Sequence, residues 1–153
     1  MKQHQLHAWL LAAVLAAIAL EGCAGSARGR RPLPYDAIRA RLEAGDPQSA
    51  LAVYDQAMQG RPAGSEQRQL RAELLLAAGR APEARAELEA LLVEDPELPG
   101  ALAALGRLRQ EDGDTPGARE LFQRALRLEP DNFVALHGLG RILLEEESYR
   151  EAL

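Results

Sequence analysis

The chain has 153 residues, a formal charge of −5 and a composition that is 47% hydrophobic but only 4% aromatic. Ala, Leu, Arg and Glu dominate in place of β-branched and aromatic residues, which argues against a large β-sheet and for an all-α protein. The acidic balance argues against a general nucleic-acid binder. Lys2 is the only lysine and Cys23 the only cysteine. Lysine chemistry in the folded part, an intramolecular disulfide and a multi-cysteine metal site are thereby excluded.

Residues 1–22 read as an export leader. Lys2 and the amino terminus give a positive start, and Ala8 to Leu20 then runs 13 residues without a charged side chain. As a helix that run spans about 20 Å, short of a bilayer core of about 30 Å, and it fits a signal-peptide apolar segment. Leu20-Glu21-Gly22-Cys23 resembles the lipobox of bacterial lipoproteins, with a Leu, a small residue and then the Cys; Glu21 departs from the small or apolar residue usual there. The resemblance implies cleavage before Cys23, acylation of its thiol and new amino terminus, and, with Ala24 rather than Asp next, the periplasmic face of an outer membrane. The alternative is ordinary cleavage and a soluble periplasmic or secreted protein. Residues 23–30 form the lipidated Cys and a Gly/Ser-containing basic tether that cannot bury apolar area.

From Arg31 onward the chain repeats every 34 residues. Gly45, Gly79 and Gly113 keep that spacing, as do Pro62, Pro96 and Pro130, and Ala50, Ala84, Ala118 and Ala152. The pattern divides into 31–64, 65–98, 99–132 and an incomplete 133–153. Each unit reads as a helix, a tight turn and a second helix. In the third, Ala101, Leu102, Leu105 and Leu108 form one apolar face, and Gly113 ends that helix. Thr115 and Pro116 start the next, with the Thr hydroxyl as the expected cap. Leu121, Phe122, Ala125 and Leu128 form its apolar face, and Pro130 stops it.

Leu105-Gly106, Gly113, Ala118, Phe122, Ala125 and Pro130, with Leu139-Gly140, Tyr149 and Ala152 in the fourth unit, resemble the tetratricopeptide repeat (TPR). The resemblance implies an all-α helix-turn-helix solenoid, a right-handed superhelix of about three and a half repeats behind a cleaved signal peptide. Gly106 and Gly140 are expected to let the first helix of a pair approach the second. The first unit departs from the pattern with Pro32, Pro34, Ile38 and Arg41, as a degenerate terminal repeat does. Arg68 and Arg71 stand at usually apolar places in the second. The fourth has Glu147 in place of the turn Gly and only begins a second helix, which leaves Val134, Leu136, Leu139 and Leu143 uncovered. Either the chain is a truncated gene product or that edge docks on something.

Nothing in the sequence assembles a catalytic constellation. His4 and His7 lie in the leader, His137 stands alone, and the run Glu145-Glu146-Glu147 reads as a solvated helix face. No enzyme activity, metal, cofactor or small-molecule substrate is expected. In TPR proteins the first helix of each pair lines a concave groove that holds a partner peptide or helix. By repeat position the lining would be Tyr35, Arg39 and Glu43; Gln69, Glu73 and Leu76; Ala103, Arg107 and Glu111; and His137, Arg141 and Glu145. Arg39, Arg107 and Arg141 each have a Glu four residues on, a spacing that serves either a surface ion pair or recognition of acidic partner groups. The implied function is a lipid-anchored scaffold for other proteins in the bacterial envelope, for instance in assembly of a pilus, secretin or export complex. A soluble exported carrier and a regulatory adaptor of a cell-wall enzyme are the alternatives.

Overall fold

The computed structural model describes the backbone of residues 32–151 and the side chains of residues 32–147. The leader, Cys23 and its tether, and Ala152 lie outside the described residues. Those residues hold seven helices and no strand: α1 (Tyr35–Glu43), α2 (Pro47–Met58), α3 (Ser65–Ala77), α4 (Ala81–Glu94), α5 (Pro99–Glu111), α6 (Thr115–Leu128) and α7 (Phe133–Glu151). They fall into two compact units, one ending at Arg80 and the other beginning at Ala81. The division lies inside the expected second repeat, between α3 and α4.

Three turns share one construction. Gly45, Gly79 and Gly113 have φ of 74°, 75° and 84°. In each, the glycine N–H donates to the carbonyl three residues back and the following N–H to the carbonyl five back, as in Gly113 to Gln110 at 3.1 Å and Asp114 to Arg109 at 2.9 Å. This double closure satisfies helix-end carbonyls and requires a left-handed residue, which only glycine supplies cheaply. Gly113→Ala is therefore expected to cost about 1–2 kcal/mol, read as a lower urea midpoint by circular dichroism.

Two of the helices that follow these turns, α2 and α6, are capped by aspartates. Asp46 Oδ1 accepts from Ser49 N and Asp114 Oδ1 from Gly117 N, both at 3.0 Å. The cap of α6 is thus Asp114 and not the expected Thr115, which is already helical. Arg109 Nη1 reaches Asp114 Oδ2 at 2.8 Å and fixes the carboxylate there. The Arg109 hydrogen bond, followed by the Gly117 amide, holds Asp114 below its ordinary value, and the hydrogen bonds from Ser49 do the same for Asp46.

 With folded values depressed, these caps contribute their stability above the unfolded aspartate value near pH 3.9 and lose it as pH falls through the folded values. Asp114→Asn, which keeps an acceptor, is expected to flatten the slope of stability against pH in that acid window, as urea unfolding at stepped pH would show.

The cores follow the 34-residue period. Ala50, Ala84 and Ala118 are each 0% exposed, and Tyr54, Leu88 and Phe122, which share one repeat position, are at most 1% exposed. In the first unit the Tyr54 hydroxyl donates to the Gln67 carbonyl at 2.5 Å. Ile38 is fully buried, and Arg71 turns to Asp55 of α2 at 2.9 Å. In the second unit, a Cβ at Gly106 would lie 2.8–2.9 Å from the Phe122 ring, so α5 and α6 approach as expected. Two ion pairs bind neighbouring second-unit elements one period apart, Arg85 with Asp112 and Arg119 with Glu146.

Three expectations are corrected. Gly140 has nothing within 4 Å of a notional Cβ; Gly138 is the glycine of α7 pressed against the Phe122 ring. Leu128, placed on the apolar face of α6, is 42% exposed. The chain makes no turn at Glu147, and α7 continues as helix to Glu151. Glutamate propagates a helix readily and takes the left-handed conformation poorly, so the turn is lost where its glycine is absent.

Candidate functional site

The first-helix residues are placed differently in the two units. In the first, Tyr35 is half-buried; burial raises its pKa, the Glu66 charge raises it further and Arg61 opposes. Arg39 pairs with Asp36 at 2.7 Å, one turn back, rather than with Glu43, which is exposed. Gln69 Nε2 lies 3.4 Å from Glu73 Oε1 on α3, and Leu76 is half-buried beside them in sequence. Leu76 is one residue out of register with Glu43, Glu111 and Glu145: the matching residue is Ala77, and the repeat-mates of Leu76 are Leu42, Gln110 and Leu144.

In the second unit the spacing of four does form ion pairs. Arg107 Nε lies 3.9 Å from Glu111 Oε1, and Arg141 Nη2 lies 3.7 Å from Glu145 Oε1. Both separations exceed a hydrogen bond. Ala103 is 1% exposed and belongs to the core, so it offers no surface to a partner. His137 is exposed and stacks on Phe133 with centroids 6.1 Å apart.

One residue of this face was not anticipated. Arg107 Nε and Gln110 Nε2 are both buried and, among the described residues, neither has a hydrogen-bond partner. They lie three positions apart on α5 and therefore on one helix face. Two adjacent donors without acceptors are costly to bury, and an oxygen-bearing partner group would satisfy them. The repeat register with Leu76 was the available signal for Gln110. Among the described residues no group of three metal-ligating side chains occurs, and no helix is long and apolar enough to cross a membrane.

A tetratricopeptide repeat family profile matches residues 41–108 and again 109–153. The chain belongs to the tetratricopeptide repeat family. Solved structures share the fold. The TPR domain of Sgt2 from Aspergillus fumigatus is 23% identical, with a TM-score of 0.61 over 82% of this chain and 88% of that one. The second TPR domain of human RPAP3, solved in complex with an HSP70 peptide, is 24% identical, with a TM-score of 0.56 over 70% and 89%. MamA residues 41 to the end, from Desulfovibrio magneticus RS-1, is 22% identical, with a TM-score of 0.55 over 95% and 89%. No curated protein matches the TPR chain in sequence.

Proposed function

We propose that this TPR protein is a non-catalytic scaffold, anchored by lipid on Cys23 at the periplasmic face of a bacterial outer membrane, whose first-helix faces hold segments of partner proteins. The observation that carries the binding reading is the pair of buried donors at Arg107 and Gln110. The helix that carries these side chains is already fixed by its core, so capture requires only that the two side chains turn to the partner, which keeps the entropic cost low. Arg39, Arg107 and Arg141 add forked donors suited to carboxylates. Their own ion pairs are worth about 0.2–0.5 kcal/mol each, so a partner carboxylate exchanges with them readily. The RPAP3 domain solved with an HSP70 peptide is a TPR precedent for holding a peptide segment. The membrane part rests on Leu20-Glu21-Gly22-Cys23, and assembly of a pilus, secretin or export complex is the favoured setting.

Two experiments test the reading. Metabolic labelling with a palmitate analogue is expected to mark the wild type and spare Cys23→Ser; an unlabelled wild type leaves the unanchored carrier. Arg107→Met with Gln110→Leu replaces both donors with apolar groups of similar length and relieves the cost of burying them unsatisfied. The expected result is an unfolding midpoint no lower than that of the wild type, with reduced recovery of the envelope partner. Undiminished recovery would retire these donors from the binding face.

A further inference from the structure

Arg107 and Arg141 stand one repeat period apart on α5 and α7, and those two helices pack directly against each other within the second unit. Packed helices have axes about 8–10 Å apart, so the row of guanidinium groups advances by about that step from one helix to the next. Among the described residues neither guanidinium makes a hydrogen bond: the Glu four positions on stays at 3.9 Å from Arg107 Nε and at 3.7 Å from Arg141 Nη2. Two further features lie on the same faces. Arg107 Nε and Gln110 Nε2 are buried donors without an acceptor. On α7, His137 lies four residues before Arg141 and therefore on its face, and it stacks with Phe133, which is 58% exposed.

We propose, resting on the reading of the first-helix faces as partner-binding surfaces, that α5 and α7 hold a polyproline-II segment of the partner with a carboxylate at every third residue. Three residues of polyproline II advance about 9 Å and complete one turn, so the first and fourth side chains share one side at the step of the arginine row. A β-strand keeps same-side residues about 7 or 13 Å apart and misses that step. An α-helix matches it with seven residues and about 10.5 Å, but its carbonyls are already bonded within the helix. Here the buried donors decide. Polyproline II has no internal hydrogen bonds, so its main-chain carbonyls are free to accept from Gln110 Nε2 once that side chain turns to the ligand. Arg107 Nε and an Nη then close a fork on the carboxylate. Prolines between the carboxylates lie on the Phe133 and His137 rings, since aromatic surface is what docks such segments.

The test titrates the full chain into labelled synthetic peptides and follows fluorescence anisotropy. The probes carry equal numbers of glutamates: repeats of Glu-Pro-Pro, repeats of Glu-Pro, and an Ala-rich helical peptide with Glu at every seventh residue. Saturable binding of the Glu-Pro-Pro peptide is expected, at least fivefold tighter than either of the others. Arg107→Met, Arg141→Met and Phe133→Ala should each weaken it at least fivefold. Arg141 and Phe133 are exposed, so circular dichroism should show the helices intact. Gln110→Leu is expected to narrow the advantage over the helical peptide, a readout that a simple loss of packing would not give. Equal affinity for all three peptides overturns the proposal and leaves acidic recognition standing; tighter binding of the helical peptide overturns it in favour of a helix. Binding of none of them overturns it as well. The scaffold reading falls with it only if the envelope partner also fails to crosslink at these arginines in cells.

Discussion

Phe122→Ala is expected to lower the stability of the second unit by about 3–5 kcal/mol, the range for emptying a fully buried aromatic site. The ring is 0% exposed and lies between two glycines, Gly106 on α5 and Gly138 on α7. Its removal therefore opens both helix contacts at once. Neither glycine has a side chain that could move in, and neighbouring helices are held by the Arg85–Asp112 and Arg119–Glu146 pairs, so collapse of the cavity is resisted. A loss of that size takes up much of a small domain's net stability of about 5–15 kcal/mol. Urea denaturation followed by circular dichroism reads it directly. Phe122→Leu, which keeps most of the volume, is expected to retain most of the stability. A loss under about 1 kcal/mol for Phe122→Ala would show that the ring is not the joint between the three helices.

Two glycines separated by a single residue are expected to respond to alanine with opposite signs. In a helix interior, alanine is favoured over glycine by about 1 kcal/mol. Gly140→Ala should show that gain, because a methyl group there meets nothing within 4 Å. At Gly138 the same methyl would overlap the Phe122 ring, which is buried on its other side against Gly106 and cannot step away. Overpacking of a tight site costs about 1–3 kcal/mol, which exceeds the propensity gain. The expected result is a higher urea midpoint for Gly140→Ala and a lower one for Gly138→Ala. Equal shifts in one direction would contradict the packing described for α7.

The features legible in the sequence were those that a single residue type enforces. A left-handed turn needs glycine, so Gly45, Gly79 and Gly113 disclosed three helix ends and the period together. A close helix crossing needs a small side chain, and Ala50, Ala84 and Ala118 are all fully buried. What escaped depended on a choice between chemically similar candidates or on contacts beyond one repeat. Asp114 and Thr115 are both good caps, and Arg109 decides for the aspartate. Gly138 and Gly140 look alike until Phe122 is placed from the preceding repeat. Arg39 has a carboxylate at either spacing and takes Asp36. On the candidate site the sequence identified Arg107, but Gln110 emerged only from burial: an unsatisfied donor is a property of surroundings, not of residue type.

The measurement that bears most directly on the scaffold account is crosslinking in cells. A photo-crosslinking amino acid would be placed singly at Arg39, Arg107 or Arg141, and, for comparison, at Glu89, an exposed residue of the second helix α4. The account predicts a discrete crosslinked partner in the membrane fraction from the first-helix positions and none from Glu89. Crosslinks of equal yield from Glu89, or none from any of the three arginine positions, would contradict it.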